Sequence, residues 1–366
     1  MNLRVVTSFA LLLTACATSK PSVRIRDTPE DFAQLKLTDT VLPHEDGRRA
    51  SPGEKNYEWW YLDAVAADGT VVVVVFGDNW PVGGKVRDVT IEVTPPGKPT
   101  RKARFKTDAA GTFASEHADV RIGSNRFEGD LERYTIHVDP NELQGVGCDL
   151  VLERRVKSYR PGTGFMGSGE EFFAWVVAVP EGEISGTVTV DGKTDTFRGS
   201  GYHDHNWGNV APWDLMRNWW WGRGEVNGKT VVMSEMRPQQ GRGNDNMALL
   251  FIAGPEGDTA RLHGAAVHLV EGELTDKEVL GYDKERPSSV TLESTAPGRH
   301  VAARFERQGA PTTFMDALAN MSGFMRFMAR VAGRSPSYTR WRSKVLIDVD
   351  GAAEEGTGTI EFMDFE

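Results

Sequence analysis

Cysteine is nearly absent from this chain: of 366 residues only Cys16 and Cys148 carry a thiol. If Cys16 is consumed as an anchor, one thiol remains, so neither an intramolecular disulfide framework nor a cysteine zinc cluster can stabilise the fold. A long apolar run is missing too. The longest, near the N-terminus, is shorter than the ~20 residues needed to cross hydrocarbon. Basic excess is also lacking, since 42 Lys and Arg face 52 Asp and Glu. A surface of that sign repels nucleic acid and does not adhere to anionic lipid by charge. No phosphate-cradling loop, dinucleotide glycine signature in a βαβ setting, Gly-x-Ser-x-Gly elbow or His-Glu-x-x-His helix occurs, which argues against nucleotide-dependent and serine-hydrolase chemistry.

What is present at the N-terminus has the form of an export signal. Residues 1–15 hold one basic residue, Arg4, then apolar residues, and end in small residues before Cys16. Leu13-Thr14-Ala15-Cys16 resembles a bacterial lipobox, which predicts cleavage before Cys16 and lipidation of its thiol. Without residues 1–15 the chain has 41 basic and 52 acidic side chains, a net charge of −11 over 351 residues. The lipid, and not charge, would then tether the protein. Ala17 after the cysteine is compatible with the periplasmic face of the outer membrane. Residues 16–50, rich in Ser, Pro and charge, read as a lipidated linker.

From Tyr57 onward, short apolar or alternating runs are separated by Gly, Asp, Asn and Pro, at 71–76, 86–93, 134–138, 150–156, 172–179 and 184–190. This predicts a mostly β body. Asn56-Tyr57-Glu58-Trp59-Trp60-Tyr61 before Asp68-Gly69 is echoed by Asn218-Trp219-Trp220-Trp221 before Asn227-Gly228. Two aromatic hairpins about 160 residues apart suggest tandem β domains, 51–200 and 201–366, with a seam near residue 200. One amphipathic helix is expected near the C-terminus, from Phe314 through Met321 and Met325 to Val331. A hairpin over 344–349 and 357–362 closes the chain.

The densest polar cluster is Tyr202-His203-Asp204-His205-Asn206-Trp207. In an extended strand His203, His205 and Trp207 share one face and Tyr202, Asp204 and Asn206 the other. Three chemistries fit. A carboxyl enclosed by tryptophan can remain protonated near neutral pH and donate to an alkene, with Asp204 the first candidate and Glu235 the second. His-x-His could instead hold a metal ion with Glu235, His263 or His268 as third ligand. Or the cluster hydrogen-bonds a crossing between two barrels. Trp59, Trp207, Trp219 and Trp221, with Arg223 nearby, supply walls for a hydrophobic ligand or simply a β core.

Glu58-Trp59-Trp60-Tyr61 and Gly201-Tyr202-His203-Asp204-His205-Asn206-Trp207-Gly208 together resemble the lipocalin-like carotenoid 1,2-hydratase (hydroxyneurosporene synthase) and AttH-related superfamily. The resemblance implies two tandem lipocalin-like antiparallel barrels around a hydrophobic small molecule, and acid–base chemistry without cofactor or metal. By motif match it places His203, Asp204 and His205 in the chemistry and Glu58, Trp59, Tyr61, Tyr202, Asn206 and Trp207 around the ligand. The expected function is hydration, isomerisation or cyclisation of an isoprenoid- or polyketide-like molecule; the alternative is a lipid carrier. No protein partner is indicated. An exported, lipid-tethered protein departs from the setting expected of carotenoid synthesis, which bears on the substrate and not on the fold.

Overall fold

The computed structural model describes residues 21–51, 55–79, 86–275, 285–316 and 336–366. The expected export signal, Cys16 and most of the predicted amphipathic helix fall outside these residues. Phe314, assigned to the start of that helix, lies instead in the strand Val301–Asp316, paired with Thr339. A continuous antiparallel ladder from Thr313 to Asp316 outweighs the helical spacing of the apolar side chains there.

Two barrel-like antiparallel sheets, of 13 and 9 strands, account for almost all of the strands. The first ends with Lys193–Gly208 and the second begins with Met216–Val226. The crossing therefore falls at 209–215, and the His/Asp cluster predicted to open the second domain is the last strand of the first. Each sheet repeats one arrangement. Tyr57–Ala66 pairs both with its hairpin partner Val71–Asp78 and with Lys193–Gly208. Likewise, Met216–Val226 pairs with Lys229–Pro238 and with the closing strand Ala352–Asp364. The turn at Asn227-Gly228, with φ of 49° and 76°, matches the right-handed twist of its strands. The runs at 172–179 and 184–190 are one strand, Glu171–Val190, whose register slips between Val176 and Gly182. Pro180 cannot donate to a ladder, and the irregular stretch absorbs it.

Alternation along the strands divides the apolar residues into three layers. Trp60, Leu62, Val74, Phe76, Phe127 and Trp207 fill the first barrel. Trp220, Phe305, Trp341 and Ile360 fill the second. A third cluster, including Tyr57, Trp175, Tyr202, Trp221 and Phe251, lies between the outer walls. A pocket lined by side chains of both sheets lies in this seam.

Residues 21–50 are not a free spacer. Arg24–Ile25 pairs with Gly167 and Met166, and Thr28 caps the helix Pro29–Leu35 with Asp31 at its third position. Arg24 hydrogen-bonds Asp31 and draws its carboxyl down to about 2. The turn Pro43–Glu45 then drives Glu45 and Asp46 into the first barrel, where Arg160 Nε meets Glu45 at 2.6 Å. The charge that makes this stretch read as a linker is spent on buried partners.

Candidate active site in the seam

The two faces of 202–207 separate as strand geometry requires, and they do different things. The inward histidines are completely buried. His203 meets Tyr61 O through Nδ1 at 2.8 Å and Asp46 through Nε2 at 3.1 Å. His205 meets Glu45 O through Nδ1 at 3.1 Å and Glu58 through Nε2 at 2.8 Å, and stacks on Trp60. Glu58 also accepts from the backbone of Arg49 and Ala50, and Trp60 Nε1 donates to Asp46 O. Burial pulls the His203 pKa down, but Asp46 and the Tyr61 carbonyl outweigh it and hold the imidazole above its ordinary value. His203, His205 and Glu58 thus clamp the N-terminal segment inside the first barrel, Trp207 packs beside His205 in its core, and none of the four lines the seam pocket. His263 sits by Asp27 and His268 by Glu293, on other strands. Among the described residues no cluster of three or more His, Cys, Asp or Glu is arranged to hold a metal.

The outward face opens on the other barrel. Asp204 Oδ2 accepts from Tyr202 Oη at 2.7 Å and Trp175 Nε1 at 2.9 Å, while Oδ1 accepts from Asn206 Nδ2 at 2.7 Å. Burial raises the carboxyl pKa, and those three donors oppose it without cancelling it. A pocket of about 100 Å³ lies over Asp204 and Asn206, walled by Trp59, Tyr61, Trp219 and Trp221. Phe173 stacks on Trp219 across the seam at 6.5 Å. These walls come from both barrels, so neither domain makes the pocket alone.

Opposite Asp204 stands a carboxyl that sequence reasoning missed. Glu361, on Ala352–Asp364, lines the same pocket, and burial lifts it to about 7 against the pull of Arg340 and Tyr338. Its Oε1 lies 3.2 Å from Arg340 Nε without hydrogen-bond geometry, and Trp221 Nε1 also makes no hydrogen bond among the described residues. The signal was in the sequence: in the closing hairpin Ile360 and Phe362 point to the core, so Glu361 must point out. The same parity removes Glu235 from the pocket. Ser234 and Met236 line it, whereas Glu235 faces the other way and pairs with Arg237 at 2.8 Å.

Beyond Tyr61 the seam becomes charged. Asp63 is held between Arg223 and Arg340, with Arg223 Nε at 2.8 Å from Oδ1. Burial pushes the Asp63 carboxyl up, but the two guanidiniums together hold it below its ordinary value.

Two of these shifts give a pH dependence of one sign. Glu361 has an ordinary value of 4.5 and a folded value of about 7, so its ionisation costs stability above 7 and that cost vanishes below 4.5. The raised His203 value contributes stability in full below 6.5 and loses it as pH rises through the folded value. Unfolding free energy measured in urea should therefore fall as pH rises through the range from 4.5 to about 7 set by Glu361, with His203 adding to the fall above 6.5. Glu361→Gln should flatten the slope; an unchanged slope in that variant would show that Glu361 is not buried in its ionisable form.

No family model matches the chain. It is 26% identical over 228 residues to a hydroxyneurosporene dehydrogenase of Chlorobaculum tepidum, covering 52% of this chain and 58% of the relative. It is likewise 26% identical over 231 residues to a quinolone epoxide rearrangement protein of Penicillium thymicola, covering 56% and 63%. The chain therefore spans about three-fifths of the length of these relatives. Among solved structures, a putative AttH from Nitrosomonas europaea superposes with a TM-score of 0.60 at 13% identity, over 89% of this chain and 96% of that one. Kievitone hydratase from Nectria haematococca gives 0.59 at 14% identity, over 94% and 97%. The resemblance read from the two tryptophan-bearing motifs holds: the fold is the AttH-type, lipocalin-like tandem barrel.

Proposed function

On the premise of that AttH-type tandem barrel, we propose that this protein is an enzyme acting on a hydrophobic isoprenoid- or polyketide-like molecule by acid–base chemistry in the seam. The observation that carries the reading is the pair Asp204 and Glu361, two carboxyls with raised pKa in one aromatic pocket. Two such groups in a dry site disfavour double ionisation and share a proton near neutral pH. The protonated member can donate to an alkene carbon. The cation that develops faces Trp59, Trp219 and Trp221, whose π-faces attract positive charge. Water then adds, and its surplus proton passes to the ionised carboxylate, so the pair gives one proton and recovers one. In isomerisation or cyclisation the same carboxylate removes a proton from carbon instead. The names of one relative, a quinolone epoxide rearrangement protein, and of a structural neighbour, kievitone hydratase, refer to rearrangement and hydration and support this range of outcomes, while the name of the other relative refers to dehydrogenation.

The competing reading is a carrier, in which the tryptophans hold the ligand and no bond changes. Native mass spectrometry of residues 21–366 purified from a carotenoid-producing host, with extraction of whatever is bound, supplies the compound to test. Conversion of that compound by wild type and its loss in Asp204→Asn supports the enzyme. A molecule returned unchanged by both leaves the carrier.

We also propose that Cys16 carries lipid and holds the body at the cell envelope, on the periplasmic face of the outer membrane. Labelling with an alkynyl fatty acid should mark the wild type and not Cys16→Ser. Equal labelling of both would remove the anchor.

A further inference from the structure

The aromatic pocket encloses about 100 Å³, whereas sites for drug-sized ligands run to about 300–1,000 Å³. A long isoprenoid or polyketide cannot enter it whole. The seam, however, continues into a cleft of about 620 Å³. The two spaces lie on the same faces of the same three strands. Tyr61, Trp221 and Glu361 line the pocket, and Asp63, Arg223 and Thr359, each two residues along, line the cleft. Two strand residues span about 7 Å, so the cleft begins one side-chain step from the carboxyl pair.

Its chemistry differs from that of the pocket. Asp63, Glu92 and Glu225 face Arg223, Arg340 and Arg342, so the charges lining it cancel. The two buried guanidiniums are committed to Asp63, which leaves donors but no unpaired buried cation. Arg223 uses Nε and Nη2 on Asp63, and its Nη1 makes no hydrogen bond among the described residues. Val65, Val71 and Val73 give one wall an apolar surface, while Ser200 and Thr313 carry hydroxyls.

We infer that the cleft is a second subsite that receives the far end of the substrate, and that this end is uncharged and oxygenated, a hydroxyl or a carbonyl. The inference rests on the pocket holding the reactive end. A carboxylate in the cleft meets Glu225 and finds both buried guanidiniums already taken by Asp63, which leaves it only the exposed, solvated Arg342. A pure hydrocarbon leaves Arg223 Nη1 and the hydroxyls dehydrated and unpaired, which is costly. An alcohol or ketone satisfies both conditions, and the Asp63 pairs then measure the distance between that oxygen and the reacting carbon.

Three tetraene probes of one chain length test this: cis-parinaryl alcohol, cis-parinaric acid and the matching octadecatetraene. Each quenches tryptophan emission when it lies beside Trp59, Trp219 and Trp221. The alcohol should bind at least about fivefold tighter than either of the others. Val65→Phe, at an exposed lip of the cleft, and Ser200→Phe, on its wall, should each weaken the alcohol more than the octadecatetraene and so shrink that preference. Equal affinity for all three probes, insensitive to both variants, overturns the cleft and leaves the pocket standing. Tighter binding of the acid overturns the uncharged end. No quenching by any probe overturns the hydrophobic pocket as well.

Discussion

Asp204→Asn lowers turnover by about 10²–10⁴-fold, the usual contribution of a positioned acid or base, and leaves binding of the same molecule in place. The substitution is nearly isosteric, but it changes the hydrogen bonds. Tyr202 and Trp175 both donate to Oδ2 and Asn206 to Oδ1. An amide keeps one acceptor oxygen for the first two and turns its NH2 toward Asn206, whose amide can flip to accept. The fold survives and the titrating group is gone. Single-turnover measurement with the compound recovered from the protein separates the two effects, since binding and conversion are read in one experiment. Full conversion by Asp204→Asn removes Asp204 from the chemistry. Glu361→Gln should behave alike in rate but also erase whatever inflection the wild-type pH profile shows near 7. If one variant is silent, the single active carboxyl does not form a pair.

The largest expected effect on stability comes from Asp63→Ala. Asp63 is 1% exposed and is the shared partner of Arg223 and Arg340, one from each of two neighbouring regions of the second barrel's wall. Removing it leaves two guanidiniums facing each other in a dry seam, a loss of about 3–5 kcal/mol. That is a large part of the ~5–15 kcal/mol that separates folded from unfolded chains. The urea midpoint should drop accordingly. Asp63 also holds the Glu361 carboxyl up by its negative charge, so its loss should move Glu361 down and shift the acid limb of any pH–rate profile the same way. A midpoint unchanged within error would mean that the pairs are solvated and the seam is wetter than the burial of Asp63 implies.

These expectations follow from parity along strands, and parity was the part of the molecule legible from residues alone. Tyr202, Asp204 and Asn206 were separable from His203, His205 and Trp207 because an extended chain alternates faces whatever its neighbours are. Which face looks into the seam was not legible. That depends on residues 42–50, whose polar composition resembles a spacer but whose Glu45 and Asp46 are the histidines' partners from across the barrel. Glu58 was placed with the ligand by motif and belongs instead to this clamp. Glu235 and Glu361 show the same limit from opposite sides. Each is one glutamate among strand residues, and a single step of register decides whether it faces the core or the seam. The duplicated hairpins were visible as paired tryptophan clusters. The turn from one sheet to the next was set too early, because the polar density of 201–208 suggested a junction and the ladder with Tyr57–Ala66 continues straight through it.

The clamp on the N-terminal segment also orders events in time. Glu45 and Asp46 find their histidine partners 160 and 157 residues later in the chain, and contacts of such separation are reached slowly, because a long loop must close before any of its interactions form. The first barrel therefore cannot finish until its last strand has been made. A nascent chain that stops short of residue 203 can already hold Glu45 on Arg160 and Asp46 on Tyr134, but its sheet is open and the histidine clamp is missing, and the step that completes the wall of the seam is the same step that locks the beginning of the protein in place.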